Sequence, residues 1–242
     1  SLKKSIRDDT ILISIQHGNS EIGTIQPLEQ ISKLCKKHDI FLHTDCVQTF
    51  GKSNMNQVSS LVDSLSISGH KVYGPKGIGA VFIKPNIQWE QVFPGATHER
   101  GFRAGTVNVP AIASMITAIQ KNEIHMEEQN TKFDSLRRRF IQTLNPIEPF
   151  LTIHGAKGNE QISSIIGLSV EGIEGQWLML ECNRRGFAIS TGTACHTGMM
   201  NSSKTMQALG FVGKTAKEFI RISFGRISTL QEVELLGNAI VP

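Results

Sequence analysis

Residues 64–83 read SLSISGHKVYGPKGIGAVFI. Two short apolar runs, Ser64–Ser68 and Gly79–Ile83, flank a glycine-rich turn, a pattern of strand, tight turn and strand. Upstream, Thr10–Gln16 (TILISIQ) is an isoleucine-rich run of the kind that forms a buried strand. Leu28, Ile31, Leu34 and Cys35 have helical spacing, and Pro27 stands at a good start position, so a helix is expected over Leu28–Lys37. Ile40–His43 reads as another short strand, closing at Thr44–Asp45. Strands alternating with helices predict an α/β domain with a largely parallel sheet.

Downstream, Val109–Lys121 and Met126–Thr143 read as two helices, the second long and charged, a connector in type. Beyond about Pro146 the expected strands are Leu151–His154, Ser163–Val170, Phe187–Ser190 and Ile220–Phe224. The expected helices are Gln176–Arg185, Lys204–Leu209 and Leu230–Ala239. That is an α+β layout. The division expected is residues 1–125 as a large domain, 126–145 as a connecting helix and 146–242 as a small domain. Ser1–Asp9 reads as the end of a helix running into a strand, with no start methionine, so an N-terminal portion of a longer protein is expected to be absent.

Composition narrows the function classes. The 242 residues are 39% hydrophobic and 19% charged, enough to bury a core. A formal net charge of +4 without a long basic run speaks against direct nucleic-acid binding. Arg137, Arg138 and Arg139 fall within a helical pattern and read as a solvated helix face. No apolar stretch has membrane length and no signal peptide opens the chain, so a soluble, cytoplasmic protein is expected. Four scattered cysteines, Cys35, Cys46, Cys182 and Cys195, contain no C-x-x-C pair, which argues against zinc clusters and a disulfide framework.

The residues with chemical potential sit after strands. Asp45 follows Ile40–Thr44, and alone it would more commonly cap a turn. Lys71 follows Ser64–Ser68, and alone it would be a surface lysine. Together they stand about one βαβ unit apart at adjacent strand ends, where α/β sheets place ligands. Cys195 lies in STGTACHTG (190–198), among small polar residues and glycines. A lone cysteine is usually an apolar filler, but this setting is that of an exposed loop whose thiol can ionise.

Four stretches in order, QHGNSEIGTIQP, HTDCVQ, SGHKVYGPKGIGA and HERGFRAGT, resemble the class V aminotransferase superfamily of pyridoxal 5′-phosphate (PLP) enzymes. Within it the resemblance is to NifS-like cysteine desulfurases, over about Thr10 to Arg226. It implies a three-layer α/β/α PLP-transferase large domain, N-terminally incomplete here, and a smaller α+β C-terminal domain. It also implies that Lys71 links to PLP, that Asp45 pairs with the pyridinium nitrogen and that Gln48 meets the phenolic oxygen. Asn19 is implied near that oxygen and the substrate carboxylate, Ser68 and His70 at the phosphate, and Arg221 at the substrate carboxylate. Thr106 is implied to reach the neighbouring subunit's phosphate, hence a homodimer. Cys195 is implied as the nucleophile, with His196 beside it.

The activity implied is conversion of L-cysteine to L-alanine, with a persulfide on Cys195 that passes to a sulfur-acceptor protein. That acceptor would be an iron–sulfur scaffold or a tRNA-thiolation protein. The family's ring-stacking histidine and phosphate-cradling Gly/Thr loop fall outside this sequence, so PLP binding by this chain alone is not expected. Two rival readings stand beside this one: a selenocysteine lyase or other class V PLP enzyme, and a non-catalytic sulfur-relay or scaffold-binding remnant.

Overall fold

The structure is a computed structural model that describes residues 2–95, 97–192 and 203–241. The chain divides into two compact units. One comprises Ser1–His17 with Pro27–His125, the other Gly18–Gln26 with Met126–Pro242.

The first unit is built on a four-stranded sheet of β1 (Leu12–Gln16), β2 (Phe41–Asp45), β3 (Ser64–Ser68) and β4 (Gly79–Ile83), in that order. β1, β2 and β3 are parallel, and β4 returns antiparallel to β3. The helix Leu28–Lys37 buries Leu28, Ile31, Ser32 and Cys35, the i, i+3, i+4, i+7 stripe of an amphipathic helix. Leu28, Ile31 and Cys35 pack with Ile13, Ile40, Leu42, Val58 and Val62. Each large apolar side chain so buried contributes roughly 1.5–3 kcal/mol. The helix Val109–Ile124 begins at Asn108, whose side chain accepts from the Ala111 N–H, with Pro110 in its first turn. Its Met115 lies over Gly69, where an added Cβ would come within 3.1 Å of Met115 Cγ. A side chain at the start of the turn that carries Lys71 would therefore crowd Ile78 and Met115.

One expectation is corrected here. Thr10–Gln16 is not a buried strand. The strand starts at Leu12, only Ile13 on it is buried, and Ile11 and Leu12 are 75% and 54% exposed. The reason is topological: among the described residues β1 pairs with β2 alone and stands at the sheet edge.

The second unit holds an antiparallel sheet of β5 (Leu151–His154), β6 (Ile165–Val170) and β7 (Phe219–Ser223), with β6 central and buried along its whole length. Helices Met126–Thr143, Gly175–Arg184 and Leu230–Ile240 cover it, with Phe133, Leu136, Phe140, Leu178, Val233 and Leu236 in the core. Two of these helices touch at Gly237, where a Cβ would lie 1.8 Å from Thr143 Oγ1. The last helix opens with a reciprocal capping box between Thr229 and Glu232.

Two further corrections fall in this unit. Phe187–Ser190 is not a strand. The Phe187 N–H donates to Cys182 O (2.9 Å), closing the end of the preceding helix, and only Ser190 forms a bridge, to Arg221. Nor is Arg137 part of a solvated face. It is half-buried and donates from Nη1 to Ile165 O (2.7 Å), and burial pulls its pKa below the usual arginine value. Arg139 does face outward, paired with Glu234 at 2.6 Å. Among the described residues no helix is long and apolar enough to cross a membrane.

Candidate active site

In the first unit the parallel register pairs Gln16 with Asp45 and Asp45 with Ser66, so the carboxyl ends of β1, β2 and β3 share one sheet edge. Asp45 ends β2 there. Its Oδ1 accepts from the Val47 N–H (2.8 Å), which fixes the carboxylate against the following turn. β3 ends at Ser68 and runs into the 3-10 turn Gly69–Val72 that holds His70 and Lys71. Ser68 Oγ and His70 Nδ1 are 2.7 Å apart. Asp45, Ser68, His70 and Lys71 thus project from adjacent strand ends, where ligands of open α/β sheets bind.

The turn after Asp45 winds helically: the Phe50 N–H donates to Cys46 O (2.8 Å) and the Lys52 N–H to Thr49 O (3.0 Å). It is held by Asn122, which donates from Nδ2 to Gly51 O (2.6 Å). Gly51 has φ +69°, and a Cβ there would sit 2.3 Å from Asn122 Nδ2, so glycine relieves both backbone strain and crowding. The winding puts Gln48 and Lys52 on one face, with Lys52 Nζ donating to Gln48 Oε1 (3.0 Å). Burial, reinforced by the charge of Lys71, pushes the Lys52 pKa down to about 8. Lys52 is the site residue the sequence reading missed. Its signal was the i, i+4 spacing from Gln48.

Behind this turn, His17 Nδ1 and Thr49 Oγ1 are 2.9 Å apart, and burial lowers the His17 pKa. Burial also pushes the Cys46 thiol up to about 11, so it stays protonated and inert at neutral pH. Thr106 is exposed in a separate loop of this unit and lines a cavity of about 900 Å³ with Trp89, Arg100 and Arg103.

In the second unit the hairpin at Gly18–Gln26 is bridged at Gly18 and Ile25. Gln161 anchors it, donating from Nε2 to the carbonyls of Ile22, Ile162 and Ile165 at 3.0–3.1 Å. Gly167 on β6 leaves room for it, since a Cβ there would come within 2.8 Å of Ile22 Cγ2. Asn19 Oδ1 accepts from the N–H groups of Glu21 (2.8 Å) and Ile22 (2.9 Å), and its Nδ2 donates to Thr205 Oγ1 (3.3 Å). Its carboxamide is therefore engaged in shaping its own turn.

Arg221, on β7, is half-buried and donates from Nη1 to Ser20 O (3.4 Å). Burial lowers its pKa, opposed by the negative charge of Glu21. Cys195 and His196 lie outside the described residues. The other three cysteines are buried free thiols. Among the described residues no group of three or more His, Cys, Asp or Glu is placed to hold a metal ion.

The donor set at the β2–β3 edge suits PLP: a carboxylate for a ring N–H⁺, an amine for the aldehyde carbon, and a hydroxyl and imidazole for the phosphate. The architecture is that of a partial PLP-dependent transferase. It matches a NifS-like protein with a TM-score of 0.86 at 29% identity, over 99% of this chain and 62% of that one. It also matches the NifS-like protein from Rickettsia africae, with a TM-score of 0.85 at 26% identity, over 98% of this chain and 62% of that one.

The chain belongs to the aminotransferase class-V family, whose pattern covers residues 1–236. It is 45% identical over 232 residues to a putative cysteine desulfurase NifS of Bacillus subtilis, covering 96% of this chain and 59% of that protein. It is 36% identical over 234 residues to a cysteine desulfurase IscS of Clostridium botulinum, again covering 96% and 59%. The chain thus spans about three fifths of the length of the curated relatives it matches.

Proposed function

We propose that this chain carries the lysine, carboxylate, arginine and thiol of a PLP-dependent cysteine desulfurase. The observation that supports it most directly is the parallel β2–β3 register, which brings Asp45 and the Lys71 turn to one sheet edge. In this reading residues 1–125 belong to a three-layer α/β/α large domain, although the stretch Gly18–Gln26 groups with the second unit, while 126–145 form a connecting helix and 146–242 form a small domain. Bound PLP would supply an electron sink for the charge left at the substrate Cα.

Around it, Asp45 holds the proton on the ring nitrogen, Gln48 and Asn19 face the phenolic oxygen, and Ser68, His70 and a partner copy's Thr106 hold the phosphate. Arg221 grips the substrate carboxylate, for which a fork of donors is suited. The Lys71 amine removes the Cα proton and returns a proton to Cα when alanine forms. The Cys195 thiolate attacks the substrate sulfur; a new S–S bond forms as the C–S bond breaks, and the Cβ left behind takes up a proton. The products are alanine and a persulfide on Cys195, which a sulfur-acceptor protein then takes up.

The full-length parent protein given PLP and L-cysteine is expected to release alanine, and sulfide as well when a reductant is present. Cys195→Ala is expected to release neither. Alanine formation undiminished in Cys195→Ala would remove the nucleophile assignment. Comparing rates with L-cysteine and L-selenocysteine separates desulfurase from selenocysteine lyase.

A further inference from the structure

We propose that Lys52 is a positioning residue for the cofactor: its ammonium takes the carbonyl oxygen of Gln48 and thereby fixes the Gln48 carboxamide as a hydrogen-bond donor to the phenolic oxygen of PLP. The inference rests on the PLP-binding part of the reading above and gives a task to a residue which that reading does not use.

The geometry is local. After β2 the chain winds helically: the Thr49 and Phe50 N–H groups donate to Cys46 O at 3.1 and 2.8 Å, and those of Lys52 and Ser53 donate to Thr49 O at 3.0 and 2.9 Å. Residues four apart on such a winding share a face, and Lys52 Nζ lies 3.0 Å from Gln48 Oε1. The backbone between them is pinned from outside the turn. Thr49 Oγ1 lies 2.9 Å from His17 Nδ1, and Gly51 O accepts from Asn122 Nδ2 at 2.6 Å.

A carboxamide has an acceptor end and a donor end, and rotation by half a turn exchanges them. An ammonium has donors only, so it can bond only the oxygen end. With Oε1 on Lys52, Gln48 meets anything on its other side through Nε2. Among the described residues none accepts from that nitrogen. The cation also draws electron density through the carbonyl and strengthens the N–H donors. A phenolate oxygen is an acceptor, so the orientation that Lys52 selects is the one the cofactor needs.

Among the described residues no carboxylate pairs with Lys52, and Gln48 Oε1 is the acceptor that its ammonium has. A half-buried ammonium so placed costs stability, and methionine would fill the same space without that cost. The charge has a use in setting an amide that apolar packing could not set.

The test uses the full-length parent loaded with PLP. It reads the pH at which the visible absorbance converts between the forms with and without a proton on the Lys71–PLP link. A donor on the phenolic oxygen stabilises the more negative oxygen of the form without that proton, so removing the donor raises the midpoint. Gln48→Ala is expected to raise it by about one pH unit, the scale of one hydrogen bond to a charged group. Lys52→Met is expected to raise it by about half a unit, roughly a threefold change in proton affinity, because the amide remains but is no longer held one way round. In the Gln48→Ala background Lys52→Met is expected to add nothing. The other titratable groups around the turn are Asp45 from β2, His70 and Lys71 from the turn after β3, and His17 after β1, and they are common to all four proteins.

An unchanged midpoint in Lys52→Met overturns the proposal. So does an equal rise with and without Gln48, which would make Lys52 a charge acting directly on the link rather than through the amide. Should Gln48→Ala not fold, Gln48→Leu completes the same cycle. A parent that binds PLP but forms no alanine overturns the desulfurase reading and leaves the cycle to judge Lys52. A parent that takes up no PLP overturns both.

Discussion

The two units build their functional residues by opposite means. In the first, Asp45, Gln48, Lys52, Ser68, His70 and Lys71 lie within 27 consecutive positions, on the ends of two adjacent parallel strands and the turns that follow them. In the second, Asn19 and Arg221 come from distant stretches, drawn together by a hairpin docked on β6. The first set follows from local geometry, because a parallel strand delivers its next residues to the sheet edge whatever happens elsewhere. The second set exists only while the whole unit is folded. The lesson is that the local set should fail residue by residue, and the assembled set should fail together.

The largest effect expected is on the local set. Lys71→Ala should cut alanine formation by roughly a thousandfold or more and abolish the visible absorbance that PLP gives when linked to a lysine. Alkylation of its Cys195 by iodoacetamide should match the parent. Absorbance that survives Lys71→Ala would break the comparison at its strongest point.

Next comes Arg221→Lys, which replaces a fork of donors with a point charge on a half-buried strand. A tenfold to hundredfold loss in kcat/KM, on the order of 1.5–3 kcal/mol, is expected, mostly as a higher KM. A kcat loss at constant KM would place Arg221 elsewhere in the reaction.

Gln161→Ala tests collective failure. It removes the donor to the Ile22, Ile162 and Ile165 carbonyls. About 2–3 kcal/mol of stability should go with it, read as a drop in melting temperature of about 2–4 °C per kcal/mol. Cysteine binding should weaken in step, with the PLP absorbance intact. Loss of absorbance instead would show that the two sets do not fail independently.

The smallest effect concerns Lys52. Its folded pKa, about 8, lies below the ordinary 10.5. Between those values the unfolded chain binds more protons than the folded one, so stability rises with pH across that window. Lys52→Met should flatten the rise and melt a few degrees higher than the parent at pH 7 in protein without PLP, as followed by circular dichroism. A parent whose stability is flat from pH 8 to 10 would mean that Lys52 is not held as described.

Much of this was readable from the chain. The alternation of strand and helix, the glycine-rich turn after β3 and the placement of Asp45 and Lys71 are local properties, set by residue spacing and by which residues tolerate a tight turn. Strand burial was not readable, because TILISIQ is equally isoleucine-rich in the middle of a sheet or at its edge, and topology put β1 at the edge. The run at Phe187–Ser190 has strand composition, yet its first N–H is claimed by a helix end. Arg137 and Glu21 carry no local sign that they point inward; burial of an ionised group depends on partners such as Ile165 O and Ser203 that lie far away in sequence. Amino-acid order alone determined the elements and the chemistry along the β2–β3 edge, since backbone geometry acts over a few residues. Only the tertiary structure decided which charges are enclosed and what faces them, since desolvation and pairing depend on everything packed around a group.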